Sequence, residues 1–103
     1  MQTFIMLTRL MPNAVRSPRA LEDLERKVAE HVRTACPQVE WVGSYAVFGP
    51  YDYMDIFRAP DLETASKVSA EVRTYGHAHT ETWPALEWGH FKEVVRSLDE
   101  RVT

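Results

Sequence analysis

In the stretch HAHTETW, His77, His79 and Glu81 stand two residues apart, the spacing that sets strand side chains in one row on one face. Two imidazoles and a carboxylate are donors that suit zinc or a similar divalent ion, and the same groups move protons near neutral pH. Side chains in one extended row diverge by about 7 Å per two residues, so a metal would need further ligands, such as Asp55 or residues of a second copy. No metal or other cofactor is assigned, and the row reads as the polar side of a strand facing water or a cavity. Asp55 is the other chemically pointed residue. It lies among aromatic and apolar neighbours in YMDIF, where loss of water raises a carboxyl pKa unless a partner compensates. Asp55 and His79 are therefore the candidate proton-transfer groups; the competing account of Asp55 is an ion pair or hydrogen bond across a dimer.

The elements that would position these residues follow an α+β order. TFIMLTRL is a strand closed by the turn residues Met11-Pro12-Asn13. Ser17-Pro18 is a helix start, and Leu21, Leu24, Val28, Val32 and Ala35 recur at helical spacing until Pro37. VEWVGSYAVFG and YMDIFRA are strands joined by Gly49-Pro50. Asp61 is an N-cap for a second helix carrying Leu62, Ala65, Val68, Ser69 and Val72, with Gly76 at its C-terminal cap. HAHTETW is the fourth strand, interrupted or ended by Pro84, and HFKEVVRSL is a short closing helix. Two split β-α-β halves give a ferredoxin-like fold, a four-stranded antiparallel sheet with both main helices on one face.

The other sheet face would then lie open, and its side chains matter most. Met54 and Ile56 suit the helix side, sending Tyr53, Asp55 and Phe57 to the open face. Val42, Ala46 and Phe48 likewise leave Trp41 and Tyr45 open, and small Ala78, Thr80 and Thr82 leave His77, His79, Glu81 and Trp83 open. Apolar surface on that scale calls for a cover, most simply a second copy packed sheet against sheet by two-fold symmetry. Trp41, Tyr45, Tyr53, Phe57, His77 and Glu81 would line the space between the sheets, with Arg9 at a strand end available to an anionic group. Tyr51 and Asp52 occupy a turn, where an aspartate commonly caps backbone N–H groups.

Composition narrows the classes. With 103 residues the chain is expected to form one domain. A net charge of −3 without a single-sign run argues against a nucleic-acid partner, which needs a basic surface. No apolar run approaches the length that spans a bilayer, the start lacks a basic leader, and a lone cysteine, Cys36, forms no internal disulfide. The expectation is a soluble, unprocessed, cytoplasmic protein. No Gly-rich phosphate loop, Cys-x-x-Cys pair or serine elbow is present.

FGPYDYMDIFRAPD resembles the Gly-x-Tyr-Asp stretch that names the GYD domain family, with Gly49, Tyr51 and Asp52 on the motif and Ala59-Pro60-Asp61 at the following helix start. The resemblance extends to FIMLTRL, to SPRALE, and to Gly76 with Thr80-Glu81-Thr82. It implies a ferredoxin-like fold assembling as a dimeric α/β barrel, and it supplies no reaction. His77 and His79 lie outside that pattern, whereas Glu81 is within it. Three functions stay open: a homo-oligomeric domain binding a small molecule between its sheets, a cofactor-independent isomerase or oxygenase acting on a small aromatic or carbonyl compound, and a purely structural assembly unit whose cavity is filled by Trp41, Tyr45 and Phe57.

Overall fold

A computed structural model describes residues 1–13 and 17–102, with side chains described as far as Leu98. The elements are β1 (Gln2–Leu10), α1 (Pro18–Ala35), β2 (Glu40–Ala46), β3 (Tyr53–Ala59), α2 (Leu62–Gly76), β4 (Ala78–Ala85) and α3 (Trp88–Val102). The strands form one antiparallel sheet in the order β2-β3-β1-β4. This is the expected ferredoxin-like α+β arrangement, with β2 and β4 at the edges.

Local chemistry sets the helix ends. Ser17 is extended and its hydroxyl accepts from the Ala20 N–H at 3.1 Å, with Pro18 at the first helical position of α1. Asp61 caps α2 in the same way, accepting from the Thr64 N–H at 2.8 Å. The C-terminal end of α2 departs from expectation. His77, not Gly76, takes the left-handed conformation (φ 48°, ψ 53°), while Gly76 is the last helical residue and is buried. A Cβ on Gly76 would lie 3.3 Å from Val28 Cγ2, so the glycine is used for the close approach of α2 to α1. His77 is consequently a cap, and its carbonyl accepts from the Met11 N–H at 3.1 Å; it is not the first member of a strand row.

The core lies between the helices and one sheet face, and comprises Phe4, Met6, Val32, Cys36, Phe57, Ala59, Ala65, Val68 and Val72. Phe4 and Phe57 stack as register partners with ring centroids 5.6 Å apart. Directly opposed residues of an antiparallel pair share a face, so this pair puts Phe57, Asp55 and Tyr53 under the helices and leaves Met54 and Ile56 on the open face. The expected facing of β3 is thus reversed. In β2 the register shifts between Trp41 and Gly43, leaving Val42 as the extra residue of a bulge. Trp41 therefore packs on the helix side against Phe57, with centroids 5.3 Å apart, while Tyr45 stays on the open face. Phe48 is fully exposed in the loop beyond β2 and covers no helix face. On β4, Thr80 accepts from Arg73 Nε at 3.1 Å and shares a hydrogen bond with Ser69 Oγ at 2.8 Å, fastening α2 to the sheet.

The facing of β3 has a direct stability test. Phe57→Ala is expected to cost about 3–5 kcal/mol of unfolding free energy, read by urea denaturation. Ile56→Ala should cost much less when unfolding is measured at concentrations too low for self-association. Equal losses would mean that the phase of β3 is not the one described.

Candidate functional site

The open face is built from register-matched rows. One row crosses the sheet as Gly43, Ile56, Ile5 and Trp83, and the next as Tyr45, Met54, Leu7 and Glu81. Arg9 stands opposite His79 in a further row. Gly43 makes room for Tyr45, whose ring carbons come within 3.3 Å of where a Gly43 Cβ would be. The aliphatic members are half-buried, but Tyr45 and Trp83 are exposed. The result is an apolar floor with a polar corner at the end where Arg9, His79 and Glu81 meet.

The loop joining β2 to β3 supplies that corner. Asp52 is its clamp: the carboxylate accepts from the Leu10 N–H at 2.8 Å, the Asp52 N–H donates to the Thr8 carbonyl at 2.8 Å, and its carbonyl accepts from the Val47 N–H at 3.0 Å. The sequence predicts a turn aspartate that caps backbone donors, and here the donor it captures lies on β1. With the backbone of Asp52 fixed to β1, Tyr51 reaches across the sheet and its hydroxyl donates to Glu81 Oε2. Trp83 Nε1 lies 3.4 Å from the other oxygen, Oε1, and donates weakly to it. Glu81 is therefore held by two donors on different oxygens. Its remaining lone pairs, with Arg9 and His79 alongside, can accept from a hydroxyl or amine and offer a route for a proton.

The other candidates divide between two places. His79, Glu81, Arg9 and Tyr45 are together on the open face. Tyr53, Asp55, Phe57 and Trp41 are on the helix side and His77 is at the end of α2, so they do not join that corner. Asp55 faces the space beneath α1 beside Ser44, its register partner. Burial pushes its carboxyl above the usual range, Ser44 opposes the shift by hydrogen bonding, and the charge of Glu25 on α1 adds to it. Burial also raises the Tyr53 phenol, assisted by Asp52 and Glu25, and desolvation raises the Cys36 thiol. Among the described residues, no three His, Cys, Asp or Glu side chains are grouped so as to hold a metal ion. The residue that sequence reasoning left in a structural role is Tyr51. Its place in the Gly-x-Tyr-Asp motif, beside the similarly matched Glu81, was the available signal.

A ferredoxin-like domain with one open, part-polar sheet face is the class that this geometry defines. Residues 4–95 match the GYD domain, and the chain belongs to the GYD domain family. A Thermus thermophilus protein, the glutamine synthetase and cystathionine beta-lyase binding protein, is 27% identical over 90 residues, which span 84% of this chain and 90% of that relative. The crystal structure of TTHA0845 from the same organism matches with a TM-score of 0.57 at 27% identity, over 84% of this chain and 95% of that one. The feast or famine regulatory protein of M. tuberculosis, complexed with L-methionine, matches with a TM-score of 0.61 at 15% identity, over 84% of this chain and 51% of that one. This last likeness is one of fold alone.

Two substitutions test these placements. A carboxyl with a raised native pKa makes the folded state bind protons more tightly than the unfolded one, so stability falls as pH rises from about 4 through the native value, then levels off. Asp55→Asn should therefore show a stability advantage that grows across that window and persists at pH 7, measured by urea unfolding at a series of pH values. An advantage independent of pH would place Asp55 in water. His77→Gly should stabilise by about 0.5–1 kcal/mol, because glycine adopts the left-handed cap without a Cβ clash; a loss of stability on thermal melting would contradict the capping role.

Proposed function

We propose that this protein works as a homodimer whose open sheet faces meet, and that the space between them binds a small molecule with an apolar or aromatic body and a polar end. The observation that carries the reading is Glu81, oriented by Tyr51 and Trp83 on a face otherwise floored by Ile5, Leu7, Met54 and Ile56. The apolar rows favour cover by a like surface, since burial stabilises by about 25 cal/mol per Å² of apolar area. Glu81 would take the ligand's hydroxyl or amine, Arg9 an anionic group, and Tyr45 and Trp83 would flank the body. Trp41 and Phe57, turned to the helix side, are not available to fill this space as a purely structural unit would require. Cytoplasmic residence belongs to the same reading, with Cys36 buried as an unreactive thiol.

The catalytic alternative, a cofactor-independent isomerase or oxygenase, loses Asp55 as its proton-transfer group on this face, because Asp55 lies under α1. It keeps His79, and it gains the hydrogen-bonded Tyr51 and Glu81 pair as a place where a proton can be passed. The name of the Thermus relative describes binding to two enzymes, and it does not favour turnover by this chain.

Native mass spectrometry and analytical ultracentrifugation of untagged protein test the proposal together. A dimer is expected for the parent chain and a monomer for Leu7→Glu. A co-purifying small-molecule adduct on the parent should be lost in Glu81→Gln while the dimer mass is retained. A parent chain that stays monomeric at micromolar concentration would overturn the proposal.

A further inference from the structure

Among the described residues, α3 packs against no other helix or strand of its own chain. Trp88 is 71% exposed and Leu98 54%, and Phe91, Val94 and Val95 are also exposed, although their spacing gathers them along one side of the helix. The molecule is correspondingly long, 60 × 30 × 17 Å, with a radius of gyration of 16.4 Å against about 13 Å for a compact domain of this length. Only two residues separate β4 from α3. At that junction Arg58 Nη2 lies 3.1 Å from Glu87 and Arg58 Nη1 3.9 Å from Glu40 of β2, beside a groove that includes Met1, Pro84 and His90. The residue just before the helix is tied to the end of the central strand β3, and the helix then leaves the fold. An isolated helix of about 15 residues is marginal in water, so an apolar stripe of this kind is stabilised by what it packs on.

We propose that the occupant is a second copy of this chain: α3 of each protomer lies on its partner and forms the second half of the dimer interface. The inference rests on the sheet-to-sheet dimer proposed above and adds to it. Two observations select a like copy. The first is continuity. Trp83 on the open face, Leu86 in the connection and Trp88, paired with Phe91 at a centroid distance of 5.6 Å, form an exposed apolar path from sheet to helix, so a partner that covers one is brought against the other. The second is area. The aliphatic side chains of the open rows are already half-buried within the chain, whereas a stable interface takes about 800 Å² of accessible surface from each partner. The α3 stripe from Trp88 to Leu98, about 16 Å long, adds exposed apolar surface to that of the sheet. A two-fold axis uses both surfaces twice.

The test uses the full chain, and because no described residue of α3 belongs to the core, charged substitutions on its stripe leave the sheet domain folded. Phe91→Glu with Leu98→Glu is expected to weaken the dimer at least tenfold in sedimentation equilibrium. Far-UV circular dichroism of the parent should also lose helix on dilution through the dissociation range. Leu7→Glu, on the sheet face, is the companion variant. A double variant that dimerises as tightly as the parent, while Leu7→Glu is monomeric, overturns the role of α3 and leaves the sheet interface standing; its stripe would then be free for a different protein. A double variant that dimerises more tightly than the parent would mean that α3 folds over its own sheet, and a monomeric parent would overturn both readings.

Discussion

Phe57 stacked on Phe4 beneath the helices sets the phase of the sheet. β1 and β3 are its two central strands, and once these rings share the interior, alternation assigns every other residue of both strands to a face. Asp55 and Tyr53 go under α1, and Met54, Ile56, Ile5 and Leu7 go to the open side. The edge strands inherit the choice through their registers with β1 and β3. A slip of one residue in β3 would exchange a half-buried carboxylate for an isoleucine at the centre of the open face, and the surface that defines the molecule would become a different one.

The Gly-x-Tyr-Asp loop gains its meaning from the same geometry. Asp52 binds the backbone of β1 on both sides of Arg9, by its side chain to Leu10 and by its N–H to Thr8. This anchor holds the chain so that Tyr51 crosses toward β4 and meets Glu81. Two motifs separated by some thirty residues in sequence thus form one unit, with the aspartate serving the backbone and the tyrosine serving the face.

The element order was legible because its signals are local: Ser17-Pro18 and Asp61 cap helices through short-range hydrogen bonds, and Pro37 ends one. The polar row of β4 from His79 to Trp83 was also legible, since small Ala78, Thr80 and Thr82 fit only the packed side. β3 was not. Met54, Ile56, Phe57 and Ala59 make both of its faces acceptable as a core, and the choice is decided by a partner on β1 that the sequence of β3 does not contain. The bulge at Val42 broke the alternation assumed for β2 and separated Trp41 from Tyr45. At the end of α2 the glycine rule failed because Gly76 was needed where two helices touch, which displaced the left-handed turn onto His77. The extent of α3 exceeds the short closing helix expected, and its lack of packing partners among the described residues is a tertiary fact that no periodicity reveals.

The bulge in β2 and Pro84 in β4 also bear on how copies of this chain do not meet. Both outer strands of an open sheet offer unpaired backbone groups, and such margins invite strand-by-strand growth into ribbons. Here one margin is interrupted where Val42 steps out of the ladder, which spoils a regular docking template. The other contains a residue with no N–H to donate. Lateral accretion is thereby discouraged at both rims, and the broad open surface with its projecting arm is what the fold offers to a partner instead.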